Sequence, residues 1–146
     1  MKLAMQTDYA LRTLMYLAFR GIRCTAADVA EFYGISGPHV AKVVNQLARL
    51  GYIRSVRGAG GGIELARDPE EISIGEVIRA FEGPMHLLDC VGTRDVCAIQ
   101  KFCKLLGVLA EAEKRQTDYL NGVSLADVLP TNRQAKQHAR EMEQQL

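Results

Sequence analysis

The stretch from residue 36 to residue 65 decides the fold: Ser36-Gly-Pro-His-Val-Ala-Lys-Val-Val-Asn-Gln-Leu-Ala-Arg-Leu-Gly51-Tyr-Ile-Arg-Ser-Val56-Arg-Gly-Ala-Gly-Gly-Gly62-Ile-Glu-Leu65. Its first half has a helical period, with Val40, Val43, Val44, Leu47 and Leu50 forming one apolar stripe. Ser36 is placed to cap this helix, Pro38 is tolerated in its first turn, and Gly51 closes it. Its second half alternates as short strands do, over residues 52–56 and 63–65. Between them lies the permissive loop Arg57-Gly-Ala-Gly-Gly-Gly62, which reads as the tip of a β-hairpin.

Upstream, Leu11, Leu14, Met15 and Ala18 predict a helix over residues 7–20, ended by Gly21. Thr25 and Asp28 then form a capping box for a short helix carrying Val29, Ala30 and Phe32, which stops at Tyr33-Gly34. Helix, tight glycine turn and helix make a helix-turn-helix, and a hairpin directly after it makes a winged helix. Downstream, Ser73 and Glu76 open a helix that runs to about Glu82, before Gly83-Pro84. A loop follows as far as Ala98, and then a long helix over roughly 99–120 with the stripe Phe102, Leu105, Leu106, Leu109, Ala112, Tyr119 and Leu120. So long a stripe in so short a chain points to homodimerisation along it. Ser124 and Asp127 cap a last short helix ending at Pro130, and residues 131–146 form a polar tail. The expected fold is mainly α with a small β-hairpin wing. Residues 1–67 would form the winged helix-turn-helix, 68–98 a connecting helix and cysteine loop, 99–130 the dimerisation segment, and 131–146 a mobile tail.

A chain of 146 residues with 48% hydrophobic and 24% charged residues buries a core and is not wholly disordered. No apolar run approaches the roughly 20 residues that cross a bilayer. The N-terminus carries no apolar run ending in a small-residue cleavage site, so a cytoplasmic protein with no membrane role is expected. The net charge of +1 averages two unlike halves: residues 1–67 carry +5 and residues 68–146 carry −4. A basic half beside an acidic one suggests that one end meets a polyanion. On the third helix His39, Lys42, Gln46 and Arg49 lie opposite the valine–leucine stripe. Lys and Gln side chains can read base edges, and the helix start at Ser36 can meet a phosphate. Arg54 and Arg57 bracket the start of a loop whose Gly58 and Gly60 permit close approach to a groove. Double-stranded DNA is the expected partner, with a pseudo-palindromic operator if the protein binds as a dimer.

Cys90, Cys97 and Cys103 are spaced C-x6-C-x5-C across the loop and into the long helix. Structural zinc favours tighter pairs, so this spacing suits it poorly. Iron–sulfur clusters tolerate varied spacing but require four ligands, and only three cysteines gather here. Cys24 reads as a small buried thiol. A disulfide between two of the three stays open under oxidation. An enzyme using His86 with Cys90 lacks an acid at a recognisable motif spacing, so no enzymatic activity is expected.

Residues Thr7-Asp-Tyr-Ala-Leu-Arg12, His39-Val-Ala-Lys-Val-Val-Asn-Gln-Leu47, Gly51-Tyr52, Arg57-Gly-Ala-Gly-Gly-Gly62 and the three cysteines together carry a family resemblance. The chain resembles the Rrf-type winged-helix iron–sulfur transcription regulators that include IscR, NsrR and RirA, over residues 1 to about 130. It is most similar to the NsrR branch of nitric-oxide-responsive repressors. The resemblance implies a dimer whose long helix crosses to its partner, with a cluster near the DNA-binding domain. It implies Cys90, Cys97 and Cys103 of one subunit and Asp8 of the other as ligands of a 4Fe–4S cluster, with 2Fe–2S as the alternative. No histidine follows Cys103 closely, as one does in IscR-like members. Nitric oxide would attack cluster iron and displace the weak carboxylate, releasing the recognition helix. Read without the family, Asp8 is a solvated charge or cap in the first turn of a helix. Two other readings stay open: the same fold sensing iron or cluster supply, and a cluster-free thiol sensor.

Overall fold

The computed structural model describes residues 2–134; the rest of the polar tail expected over 131–146 lies outside the described residues. Three helices come first: α1 (Met5–Arg20), α2 (Ala26–Tyr33) and α3 (Gly37–Arg49). Strands β1 (Ile53–Val56) and β2 (Gly62–Leu65) follow, then α4 (Ile74–Glu82), the single turn α5 (Asp89–Gly92) and α6 (Lys104–Asn121). The described residues form a mostly helical winged helix with one antiparallel hairpin, as the sequence predicts.

The capping box at α2 forms in full. Thr25 accepts from the Asp28 N–H, and Asp28 accepts in return from the Thr25 N–H. Gly34 adopts φ 61°, the left-handed conformation that lets α2 stop and α3 start within three residues. Leu14, Val29, Val40, Val43 and Leu47 are essentially inaccessible, so the apolar stripes of α1, α2 and α3 close on one another. The same core takes in Ile72, Val77 and Leu125. There the Leu125 N–H donates to the Ile72 carbonyl (2.7 Å) and the Ile74 N–H to the Val123 carbonyl (2.8 Å), tying the chain beyond α6 back to the start of α4.

Several local expectations need correction. Ser36 is the N-cap residue of α3, but its side chain makes no cap bond. A capping side chain accepts from the second or third helical N–H, and Pro38 removes the second. At α4, Ser73 accepts from the Glu76 N–H, but Glu76 does not reciprocate, because its carboxylate takes Arg67 at 2.6 Å. The long helix begins at Lys104 rather than near Ile99. A separate 3-10 turn, Gln100–Phe102, precedes it, and Cys103 has extended backbone, so the third cysteine stands before the helix and not in its first turn. The short helix expected before Pro130 is a single 3-10 turn, Ala126–Val128, although Ser124 and Asp127 bond as a cap would.

The hairpin is anchored on a third segment. The Cys24 N–H donates to the Ile63 carbonyl (3.0 Å) and the Ile63 N–H to the Cys24 carbonyl (2.7 Å), so the turn between α1 and α2 pairs with β2. Gly62 has φ 147°, and a Cβ there would lie 2.5 Å from the Cys24 carbonyl oxygen, so only glycine permits this approach. Cys24 is buried, as expected, and burial pushes its thiol pKa up.

Candidate nucleic-acid interface and metal centre

Helix α3 turns its valines inward and leaves Lys42, Asn45 and Arg49 on the outer face. His39 and Gln46 lie on one flank of that face. Gln46 is half-buried, and His39 sits 6.4 Å, ring to ring, from Tyr9 of α1. Asn45 is exposed between Lys42 and Arg49, a position that the 3.6-residue period picks out directly opposite the valine stripe. Asparagine, like Gln46, can pair with adenine in a bidentate manner. No ion pair to a described residue engages Lys42, Arg49 or Arg57.

The wing arginines are not alike. Arg57, Gly58 and Gly60 are exposed at the tip. Arg54 faces Glu64 directly across the ladder, and its Nε donates to Glu64 Oε1 at 2.6 Å. Arg23, which the sequence does not single out, donates to the other oxygen of Glu64 at 3.1 Å and to the Gly60 carbonyl at 3.1 Å. The Arg54 hydrogen bond, helped by Arg23, holds the Glu64 carboxyl below its ordinary range.

Among the described cysteines none is bonded to another. Cys90 lies half-buried in α5, Cys97 is exposed, and Cys103 is half-buried ahead of α6. Gln100 shapes the loop that carries them. Its amide nitrogen donates to the carbonyls of Cys90 (2.8 Å) and Thr93 (2.6 Å), and its oxygen accepts from the Val96 N–H (3.1 Å). Glu113 of α6 fixes the loop's base by accepting from the Leu87 N–H and lying 3.1 Å from His86 Nδ1. So His86 does meet an acid, but as a clamp between loop and helix. Burial raises the Glu113 pKa, and the Leu87 and His86 bonds outweigh it, leaving the group below its ordinary value.

Asp8 stands on α1, half-exposed, with Arg12 Nε at 2.9 Å. The Arg12 guanidinium in turn lies 5.5 Å from the centre of the Tyr33 ring on α2. Within one chain Asp8 is thus a solvated charge in a helical ion pair. Among the described residues no three His, Cys, Asp or Glu side chains converge as a metal site. The donor set still fits a soft-iron cluster in chemistry: three free thiols on one loop, one ligand short of four.

A family model described as Rrf2, iron-dependent transcriptional regulator, matches residues 3–131. The chain belongs to the Rrf2 family. It is 40% identical over 132 residues to the HTH-type transcriptional regulator NsrR of Bacillus subtilis, covering 88% of this chain and 90% of that one. The NsrR of Bacillus licheniformis is 39% identical, with 88% and 92% covered. Among solved structures, the T. potens IscR superposes with a TM-score of 0.69 at 28% identity, covering 87% of this chain and 85% of that one. The fold is also that of CymR, the global cysteine regulator of B. subtilis, with a TM-score of 0.74, 22% identity and 88% and 95% covered. The protein is therefore a DNA-binding transcriptional regulator of the NsrR/IscR type and not an enzyme. No helix among the described residues is long and apolar enough to cross a membrane.

Proposed function

We propose that this member of the Rrf2 family is a homodimeric, iron–sulfur-dependent repressor that senses nitric oxide. In this reading α3 enters the major groove of a pseudo-palindromic operator with Lys42, Gln46, Arg49 and His39, and Asn45 joins them. Ser36 and the start of α3 meet a phosphate, and Arg54, Arg57, Gly58 and Gly60 bring the wing to the adjacent groove. Cys90, Cys97 and Cys103 of one subunit and Asp8 of the other hold the cluster, of the 4Fe–4S or, alternatively, the 2Fe–2S type. When bound, the cluster would supply iron that nitric oxide attacks.

The observation that carries this reading is the placement of Asp8. It is half-exposed on the helix whose neighbouring residue, Tyr9, packs toward His39 of the recognition helix. While Asp8 is held by a partner's cluster loop, Arg12 is left with Tyr33 as its neighbour. Once released, Asp8 returns to Arg12 at 2.9 Å and neutralises the charge beside α2. The exchange shifts the population between two settings of the α1–α3 junction, which is how a remote ligand can govern DNA affinity.

Protein purified without oxygen should be coloured and contain iron and sulfide. Titration with nitric oxide should abolish operator binding at or below a few equivalents per cluster. Colourless, iron-free protein from anaerobic cells would sink the cluster assignment. The family's description as iron-dependent favours a second reading, in which the signal is iron supply. Operator binding that is lost to an iron chelator but indifferent to nitric oxide would select it.

A further inference from the structure

Glu64 takes two arginines at once. Arg54 reaches it across the ladder and Arg23 from the turn between α1 and α2, and Arg23 also grips the carbonyl of Gly60 at the wing tip. The Glu64 side chain is only 21% exposed, while Arg54 is 68% exposed and Arg23 37%. Surface ion pairs of this kind add little to folding stability, and the wing is already fastened by the Cys24–Ile63 backbone pair. The guanidinium fork fits phosphate as well as carboxylate, so Glu64 is the direct competitor of DNA phosphates for these cations.

We propose that Glu64 is a specificity-determining residue for DNA. It withholds Arg54 and Arg23 from sequence-independent phosphate contact and, through Arg23, fixes the tip at Gly60. On random DNA Arg54 stays with Glu64. On the operator, where the recognition helix sets the register, a phosphate is brought to Arg54 and displaces Glu64. The wing then contributes to affinity only at sites that α3 has already accepted. The arginine of the tip, Arg57, is the contrast: it meets phosphates of any sequence. The inference rests on the wing lying against DNA, as proposed above.

The test compares a random-sequence duplex with a duplex that the wild-type protein selects from a random library, using anaerobically purified dimer across a salt series. Glu64→Gln should tighten binding to the random duplex about three- to tenfold at low salt. It should also steepen the log–log salt slope by about 0.9 for each further phosphate that an arginine neutralises. Operator affinity should change less, so the specificity ratio falls. Adding Arg54→Gln to Glu64→Gln should return the slope toward wild type. Arg54→Gln alone, which does not depend on the Glu64 variant folding, should weaken operator binding and leave the random-duplex slope unchanged. Arg57→Gln should flatten that slope by about 0.9. An unchanged slope and ratio in Glu64→Gln, or a random-duplex slope that Arg54→Gln flattens as much as Arg57→Gln does, overturns the proposal while the wing reading stands. No effect of Arg57→Gln on either duplex removes the wing from DNA, and the proposal with it.

Discussion

Helices α1 to α3 and helix α6 are built on opposite terms. The first three bury Leu14, Leu17, Val29, Val40, Val43 and Leu47 against one another and complete a core within one chain. Helix α6, at 18 residues the longest, buries none. One side, with Leu106, Leu109, Glu113, Gln116 and Leu120, is half-covered by its own chain, whereas Leu105, Val108 and Tyr119 are exposed. Phe102, Ile99, Val96 and Leu88, in the segment that carries the cysteines, are exposed as well. Exposed apolar side chains on a helix that buries none of its own residues are what a partner would cover. The DNA-binding half owes its order to its own sequence, while under the proposed function a second copy would complete the half that carries the cysteines. That is the arrangement expected of a sensor whose fourth ligand comes from a partner.

The contrast can be broken most forcefully in the core. Leu47→Ala should lower unfolding free energy by about 2–5 kcal/mol, because the site is fully enclosed. Chemical denaturation should register this independently of protein concentration. Leu105→Glu should act in the opposite manner, weakening self-association by about 100-fold or more while each subunit keeps its helical content. Sedimentation equilibrium reads the first, circular dichroism the second, and an unshifted association constant would free α6 from the interface. Thr25→Ala removes one half of the α2 capping box and should cost about 0.5–2 kcal/mol.

The smallest effect is a matter of pH. Asp28 is held below the ordinary aspartate range by hydrogen bonds from Thr25, the backbone N–H first and the hydroxyl second. Its folded pKa therefore lies under its unfolded one. The unfolded chain takes up the proton first, and the stability Asp28 lends is present above about pH 4, the ordinary aspartate value, and is lost as pH falls through the folded value. Denaturation midpoints for wild type and Asp28→Asn should differ at neutral pH and converge in acid. Parallel curves would show that the box contributes no charge-linked stability.

How much of this was legible in the sequence follows from the distance over which each interaction acts. The Thr25–Asp28 box, the Gly34 turn and the hairpin register are set within a few residues, and periodicity alone separates the buried Val40–Leu47 stripe from the outer face of α3. The same period places Asn45 beside Lys42, to one side of the polar stripe that runs through His39 and Gln46. The Arg23–Glu64 contact spans 41 residues, His86–Glu113 spans 27, and the Glu82 carboxylate accepts from the Ala4 N–H 78 residues away. No local pattern signals such pairs. The late start of α6 escaped for a different reason. Ile99 and Phe102 keep a spacing that a 3-10 turn satisfies as well as an α-helix does, so the extended residue Cys103 interrupts the helix without disturbing the pattern. The proposed metal site is the least legible from one chain, since among the described residues no three candidate ligand side chains converge.

In the proposed dimer the sensing site is completed by both subunits, and mixed dimers provide the direct test. One subunit carries Cys97→Ala and the other Asp8→Ala, each with a different affinity tag, and the heterodimer is isolated anaerobically. If Asp8 acts in trans, the Asp8→Ala subunit's three cysteines meet the intact Asp8 of its partner. The heterodimer should then hold half the wild-type iron, with wild-type resistance to chelation. If instead its iron is lost as readily as from the Asp8→Ala homodimer, or if that homodimer is itself indistinguishable from wild type, the shared site is contradicted.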